Sequence, residues 1–368
     1  MRQPLLFPTA TFLAFGLCFG ACKKETEIQV QVKEVEKRYS WSEVSPNILN
    51  GWLRIILSTG TNGRALYFQH PSFFTRFSGK GYHQNDFNAG VGLPTDISVR
   101  LPIGRDFTAY PASDSLLTIY RNDQPVNRGN YAYVHLRRLD PTATSFNTRL
   151  FSLSKCMAIN ENNYLLAPYY SQRPGFPITF LLAAVTPGGP LSGQPVVIPR
   201  TVVIPKPSRA GTVYVRNIAA IEDYFLVNLA DAGIYKIKQD GTFRQVYRSA
   251  IVDAFYKRGN TVYAPVEYNE ILTSNDNGDT WQSSSGTPSQ FTLATYYTVR
   301  DSLVGVHFNQ LFTLNWNGPR FTMRALKNDG LGRANITGVE YLRDTVYVAT
   351  TSGLFARPAK EFFESKPQ

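Results

Sequence analysis

Short apolar runs that follow polar turn residues dominate the chain from about residue 45 onward. Asp344-Thr345-Val346-Tyr347-Val348 is one such run, and Gly353-Leu354-Phe355 opens the next. Alternation over runs this short is typical of β-strands, and polar residues before them are typical of turns. Equivalent runs begin at Asp223, Asn260 and Asp301, so the pattern recurs about every 40 residues. A period of this length with several short strands is typical of propeller blades.

Three weaker copies precede these four. They begin at Asn62, Asp114 and Asn163, at wider intervals, and Pro- and Gly-rich insertions such as Pro174-Gly175-Phe176-Pro177 account for the added length. A small twisted sheet buries both of its faces only by stacking between neighbours. We therefore predict an all-β fold, a β-propeller of seven blades, each a four-stranded antiparallel sheet. Because the first copy is faint, six or eight blades remain open.

The first 21 residues have the composition of an export signal. Arg2 supplies a positive charge, an apolar stretch extends to Phe19, and Gly20-Ala21 are the small residues that a signal peptidase requires. The apolar run is too short to span a bilayer as a stable anchor. We predict that residues 1–21 are a signal peptide.

Phe19-Gly20-Ala21-Cys22 resembles the lipobox of bacterial lipoproteins, although Phe replaces the usual Leu, and a window ending at Cys18 fits less well. The resemblance implies that Cys22 becomes the first residue and carries lipid, with ordinary secretion as the alternative. Lys23-Lys24-Glu25 is similar to the charged tag that sends some Bacteroidetes lipoproteins to the cell surface. We therefore expect an exported protein that is lipid-anchored at the outer membrane or cell surface.

Residues 22–44 alternate charged and apolar side chains, which predicts a charged tether. The period-2 spacing of Ile28, Val30 and Val32 leaves open a strand that joins some sheet edge. The propeller is expected over residues 45–368.

One motif gives the propeller a family resemblance. Ser274-Asn275-Asp276-Asn277-Gly278-Asp279-Thr280-Trp281 matches the Asp-box pattern S-x-D-x-G-x-T-W in full. The chain thus resembles the Asp-box (BNR-repeat) β-propellers, which include sialidases, other glycosidases and many non-enzymatic exported proteins. The resemblance implies a structural hairpin on the rim, built by Ser274, Asp276, Gly278, Thr280 and Trp281. A calcium loop would need a distant bidentate Glu, so we predict no metal.

The formal net charge of +11 comes from scattered Lys and Arg, without the dense basic patch of a nucleic-acid-binding protein. We predict no nucleic-acid partner. After cleavage before Cys22, Cys156 would be the one unmodified cysteine, so we expect no intrachain disulfide and a buried packing role for Cys156.

Catalytic chemistry has little support in the sequence. A sialidase would require three arginines around a substrate carboxylate, a Tyr–Glu nucleophile pair and an acidic Asp, usually with several Asp boxes, whereas one box is intact here. The four His lack metal-ligand spacing, and no dinucleotide or phosphate-loop motif occurs. We predict no catalytic residue and no cofactor, although the question of an enzyme stays open.

Aromatic and polar residues that could capture a ligand cluster in Tyr169-Tyr170-Ser171-Gln172-Arg173. Aromatic rings and guanidinium groups bind sugars or peptides by stacking and hydrogen bonding. Tyr169, Tyr170 and Arg173 are therefore candidate ligand-binding residues. The alternative is that these large rings fill the gaps between blades.

Together these features predict a lipid-anchored, exported, monomeric propeller that acts as a non-catalytic binding or scaffold module for glycan or protein partners. The alternative is a sialidase-like glycoside hydrolase of the Asp-box kind, and a third hypothesis is a sensor-like propeller.

Overall fold

The computed structural model describes residues 40–44, 56, 58–69, 74–77, 82–85, 102–122, 131–146, 156–189, 193–207, 213–248, 251–252, 254–266, 270–285, 294–317 and 320–366. They all belong to one compact unit, Tyr39–Gln368. The predicted signal peptide, Cys22 and most of the predicted tether lie outside the described residues.

The described residues form seven antiparallel sheets, numbered here as blades in chain order. Blade 1 contains β2 (Ser58–Thr61), β3 (Leu66–Gln69), β4 (Phe74–Phe77) and β5 (Tyr82–Asn85). Blade 2 contains β6 (Phe107–Ser113), β7 (Leu116–Arg121) and β8 (Tyr131–His135). Blade 3 contains β9 (Ala143–Phe146), β10 (Ala158–Ile159), β11 (Tyr164–Ser171), β12 (Ile178–Thr186) and β13 (Val196–Ile204).

The remaining blades follow the four-stranded pattern. Blade 4 contains β14 (Val215–Ile221), β15 (Tyr224–Leu229), β16 (Gly233–Lys238) and β17 (Phe243–Tyr247). Blade 5 contains β18 (Tyr256–Arg258), β19 (Thr261–Val266), β20 (Glu270–Ser274) and β21 (Gln282–Ser285). Blade 6 contains β22 (Thr295–Val299), β23 (Ser302–His307), β24 (Gln310–Asn317) and β25 (Arg320–Ala325). Blade 7 contains β26 (Ile336–Leu342), β27 (Thr345–Thr350), β28 (Gly353–Pro358) and β1 (Ser42–Glu43). Two short helices, α1 (Leu136–Leu139) and α2 (Ala359–Phe362), flank blades 2 and 7.

The predicted seven-bladed β-propeller is confirmed. Six of the seven predicted turn residues lie between the innermost strand of their blade and the strand paired with it, where the innermost strand of blade 3 is β10; they are Asn62, Asn163, Asp223, Asn260, Asp301 and Asp344. Asp114 is the exception. Asp114 lies in the turn between β6 and β7, whereas the innermost position of blade 2 is held by Ile103, which forms a bridge with Thr108 of β6. The Asp114 turn therefore corresponds to the second turn of the other blades. The innermost strand of blade 2 is thus reduced to a single bridge.

Strand number also departs from the predicted four in two blades. Among the described residues, blade 2 has three strands and blade 3 has five. The cause is β9, which follows blade 2 in the chain but pairs with the end of β11, through Tyr169 opposite Phe146. The chain therefore links blades 2 and 3 by a strand that crosses between them.

Blade 7 shows how the alternating pattern buries both faces of a sheet. Val346 and Val348 of β27 are fully buried in a cluster with Val304 and Leu311 of blade 6. Ala349, on the other face, packs in a cluster with residues of blade 1. Each blade thus relies on both neighbours for its burial.

Blade 7 is closed by the amino-terminal end of the described chain. Ser42 and Glu43 of β1 pair with Ala356 and Phe355 of β28. Ser42 and Glu43 fall in the segment that the sequence assigns to the tether. Trp41 is buried beside β1. Among the described residues, none of the helices is long and apolar enough to cross a bilayer.

Candidate functional site

The seven blades surround a central channel of about 320 Å³. Every blade contributes to its wall, with Thr59, Ile103, Ile159, Ala219, Phe255, Tyr297 and Glu340 as representatives from blades 1 to 7. The innermost strand of each blade, or the residue just before it, provides these side chains. Most of them are small or apolar, so the channel is a largely neutral cavity.

Glu340 is the one carboxylate among the described lining residues, which include no arginine. Its Oε1 accepts a hydrogen bond from Thr59 Oγ1 of blade 1 at 2.9 Å. Two facing carboxylates, or three arginines around a Tyr–Glu pair, are the arrangements that glycoside hydrolysis would need. The described lining of the channel contains neither.

The three candidate ligand-binding residues, two in β11 and Arg173 just after it, are placed differently from one another. Tyr169 is buried, and its hydroxyl donates to Asp140 Oδ2 at 2.9 Å. Arg173 Nε donates to the same oxygen at 3.1 Å. Tyr170, by contrast, is 52% exposed. The structure thus brings Tyr169 and Arg173 together around an internal carboxylate and leaves Tyr170 at the surface.

Asp140 is a residue that the sequence did not single out. Its side chain is 1% exposed, and its Oδ1 accepts bonds from Thr142 N at 3.0 Å and from Thr142 Oγ1 at 2.6 Å. The Asp140-Pro141-Thr142 tripeptide is the available signal, since an Asp that bonds to the residue two positions on is a common turn. Its other partners come from β11 and the loop after it.

The pKa of Asp140 is set by opposing effects. Burial raises it, but hydrogen bonds from Thr142, Arg173 and Tyr169 outweigh burial and lower the pKa of Asp140 to about 2. Burial chiefly raises the pKa of the Tyr169 hydroxyl. At neutral pH the group is therefore an ionised carboxylate that holds a neutral phenol and a guanidinium in place.

The Asp-box residues form the turn between β20 and β21. Asp276 Oδ1 accepts bonds from Asp279 N at 3.0 Å and Thr280 N at 2.8 Å, and its Oδ2 accepts from Thr280 Oγ1 at 2.6 Å. Ser274 Oγ donates to Asp276 Oδ1 at 2.7 Å and accepts from Gly278 N at 2.8 Å. Burial opposes ionisation, but these bonds prevail and lower the pKa of Asp276 below its usual range.

Gly278 and Trp281 fit this turn against its neighbours. Gly278 has φ +82°, and a Cβ there would lie 3.1 Å from Leu226 of blade 4, so both conformation and space favour glycine. Trp281 Nε1 donates to Gly278 O at 3.1 Å, and its ring packs against the cluster between blades 4 and 5.

Asp279 connects the Asp-box turn to blade 4. Its Oδ1 lies 2.6 Å from Lys236 Nζ and 2.5 Å from Arg244 Nη2. Lys236 Nζ also donates to Asn277 O at 2.9 Å. The acidic and amide groups of the turn thus bond to protein donors.

Metal-ligating side chains do not gather elsewhere in the described part of the chain. A search of these residues finds no group of three His, Cys, Asp or Glu that could hold an ion. Cys156 is buried, with Sγ 3.6 Å from Val215 O of blade 4.

The two most exposed phenylalanines among the described residues lie on the same face of the propeller. Strands are counted outward from the channel, and antiparallel strands reverse direction at each turn. The turns between first and second strands therefore lie on one face of the propeller, which we call the first-turn face. The turns between second and third strands lie on the opposite face, which we call the second-turn face. Phe176 follows β11 and is 79% exposed, and Phe308 follows β23 and is 66% exposed. Both belong to the second-turn face, and both have positive φ, of 49° and 52°.

Comparisons with known proteins bear on the fold. No family model matches the sequence, and a search of curated proteins finds no match. The chain is similar to the extracellular domain of a B. thetaiotaomicron protein described as a one-component system, with a TM-score of 0.52 and 12% identity. The alignment covers 90% of this chain but 44% of that one, so the chain spans less than half of that domain.

Two further structures are similar. Virginiamycin B lyase from Staphylococcus aureus has a TM-score of 0.52 and 10% identity, with 82% of this chain and 94% of that chain covered. A chain of the mitotic checkpoint complex has a TM-score of 0.50 and 11% identity, with 95% and 98% covered. At such low identity these likenesses show the propeller fold alone.

Proposed function

We propose that this protein is an exported, lipid-anchored β-propeller that acts as a non-catalytic binding or scaffold module for a glycan or protein partner. The observation that carries the proposal is the composition of the central channel. Its described lining is neutral apart from Glu340, whose Oε1 already accepts a bond from Thr59. A cavity with this lining can hold a ligand, but it lacks the paired acid and base groups that hydrolysis requires.

The second-turn face supports the same proposal. Exposing Phe176 and Phe308 costs solvation free energy, and holding either residue at positive φ adds conformational strain. Exposed aromatic side chains on a rigid scaffold are typical of surfaces that bind partners. Tyr170 is also exposed and lies toward the same end of β11 as Phe176.

Export and anchoring rest on the first 22 residues of the sequence. Arg2, the apolar stretch and the Gly20-Ala21-Cys22 sequence support a lipoprotein signal. The fold shared with an extracellular domain from B. thetaiotaomicron agrees with an exported protein. We propose that Cys22 is lipidated, that the part of the 22–44 segment that precedes β1 is the tether, and that the protein is displayed at the outer membrane or cell surface.

The Asp box enters the proposal as a structural element. The bonds of Asp276 remain within its own turn, and Asp279 pairs with Lys236 and Arg244 of blade 4. We therefore assign Ser274, Asp276, Gly278, Thr280 and Trp281 to fixing blade 5 against blade 4.

A glycan array, run beside a panel of aryl glycosides, tests the proposal on the purified protein. We expect binding to a restricted set of glycans and no release of aglycone. Binding to none of the glycans, again without cleavage, would favour a protein as the partner class. Release of aglycone at a rate that follows protein concentration would overturn the proposal and favour an Asp-box glycoside hydrolase.

A further inference from the structure

The seam between blades 4 and 5 opens on the first-turn face into two adjoining clefts. One has a volume of about 360 Å³ and is lined by Glu222, Asp223 and Tyr224 on one side and by Gln239 and Asp240 on the other. The second, of about 340 Å³, adds Phe243 and Arg244. Lys236 and Lys238 line both clefts, so the two form one continuous groove.

Strand register explains why these side chains meet. Tyr224 of β15 lies opposite Lys238 of β16, and Leu226 lies opposite Lys236. Alternate residues of a strand share a face, so Tyr224, Lys236 and Lys238 all point toward blade 5. The Asp-box turn of blade 5 closes the groove, because Lys236 bonds to Asn277 O and Asp279 Oδ1. The Lys236 ammonium lies 4.2 Å from the centre of the Tyr224 ring and fixes both side chains.

Two polar groups beside the first cleft have no hydrogen-bond partner among the residues that the structure describes. The Tyr224 hydroxyl is buried without a hydrogen bond, in a residue that is 3% exposed. The Nε2 atom of Gln239, which lines the same cleft, is also buried without a partner. Burying such groups unpaired lowers stability, and they are usually satisfied by water or a ligand. Both groups can donate a hydrogen bond. The Gln239 amide nitrogen carries two N–H groups, and burial raises the pKa of Tyr224, so its hydroxyl keeps its proton.

We propose that this groove binds a sugar residue of a glycan. The Tyr224 hydroxyl and the Gln239 amide donate to sugar oxygens, and the exposed Asp223 carboxylate accepts from sugar hydroxyls. The inference rests on the proposed binding function and assigns its glycan partner to one site.

The charges of the groove favour a neutral sugar over an ion. Asp223 and Asp240 would repel an anion, whereas Lys238 would repel a cation. The charge of Lys236 is already balanced by Asp279 at 2.6 Å. A hydroxyl group both donates and accepts, so a polyhydroxylated ring can satisfy acidic, basic and neutral groups together.

Saturation-transfer difference NMR on the full-length protein tests the groove. The probes are glucose, galactose, mannose and N-acetylglucosamine, each as the free sugar and as its short oligomers. We expect saturation transfer to at least one probe, and Tyr224→Phe should weaken its affinity about five- to tenfold, the usual effect of one lost hydrogen bond. Asp223→Asn, at an exposed position, should also weaken the binding of that probe.

Tyr235→Phe is the matched control. Tyr235 is on the same blade but lies in the cluster toward blade 3. Removing its hydroxyl should therefore leave the affinity for the probe unchanged. Unliganded Tyr224→Phe should be as stable as the wild type, because the hydroxyl that it removes bonds to no described residue.

Two results would overturn the inference. If no probe shows saturation transfer, the proposed sugar site is wrong. The proposed binding function would still be tested separately by the glycan array. If a glycan binds and Tyr224→Phe changes its affinity less than twofold, the glycan binds elsewhere. The proposed binding function would then stand without this groove.

Discussion

Asp140 shows what one buried charge contributes to this fold. Its carboxylate accepts bonds from Thr142, from Tyr169 of β11 and from Arg173 in the loop after β11. It therefore ties the segment between α1 and β9 to blade 3. A buried carboxylate with this many donors stabilises the fold in its ionised form, and the low pKa of Asp140 measures that preference.

The pH dependence of this contribution follows from the pKa of about 2. A carboxylate whose pKa is lower in the folded than in the unfolded chain stabilises the fold above the unfolded value of about 4. That contribution is lost as the pH falls toward 2. We expect Asp140→Asn to lower the free energy of unfolding by about 2–3 kcal/mol at pH 7, since two pKa units correspond to that amount.

Urea denaturation of wild type and Asp140→Asn at pH 7, 5 and 3 would measure this, with the difference shrinking at the lowest pH. Asp231→Asn, in the exposed turn after β15, should change stability little at any pH. A difference at Asp140 that stays constant down to pH 3 would show that ionisation is not the source of its contribution.

The sequence could identify some of these residues but not their pairing. Tyr169 and Arg173 attract attention because aromatic and basic residues cluster there, and that composition fits a ligand site as well as an internal network. Asp140 has no such cluster around it. Its pairing with them depends on β9 crossing to blade 3, and the register of strands that are far apart in sequence is not encoded in either strand alone.

At the scale of elements, the Asp-box hairpin divides into local and non-local bonds. The bonds of Asp276 to Asp279 and Thr280 span three or four residues, so the motif alone predicted a bonded turn. The pairing of Asp279 with Lys236 joins residues 43 positions apart and depends on how blades 4 and 5 stack. Sequence therefore predicted the turn, while the groove beside it emerged only from the stacking.

The hairpin can be tested through its central carboxylate. Asp276→Ala removes the acceptor for three hydrogen bonds from Asp279 and Thr280, so we expect the free energy of unfolding to fall by about 2 kcal/mol. Chemical denaturation at pH 7 provides the measurement. Asp301→Ala, in an exposed turn of blade 6, is the control and should cost less than half as much. Equal losses in the two variants would mean that the box is no more than an ordinary turn.

At the scale of the molecule, the seven-fold pattern was readable because each blade repeats the same turn and strand. Blades 4 to 7 follow it closely, and their turn residues were placed correctly. Blades 2 and 3 share a crossing strand, so the repeat there is disguised by tertiary pairing. The ring closure was not predicted either, because β1 is only two residues long and lies within a charged segment.

The closure nevertheless joins the two ends of the propeller. Trp41 packs edge-on against Phe362 of α2 with ring centres 6.0 Å apart, and its Nε1 donates to Lys327 O at 3.0 Å. Beside it the Arg357 side chain is buried and donates to Glu364 Oε2 at 2.9 Å. Removing β1 would expose this cluster and leave blade 7 without its outer strand.

A chain that begins at residue 45 should therefore be less stable than one that begins at Tyr39. We expect a loss of about 3–5 kcal/mol, comparable to deleting one buried Trp, together with a lower thermal midpoint. Trp41→Ala in the longer chain separates side-chain burial from strand pairing, because it keeps the bonds of Ser42 and Glu43 to β28. If the two chains unfold at the same temperature, β1 does not hold the ring closed, and blade 7 must be stable on its three remaining strands.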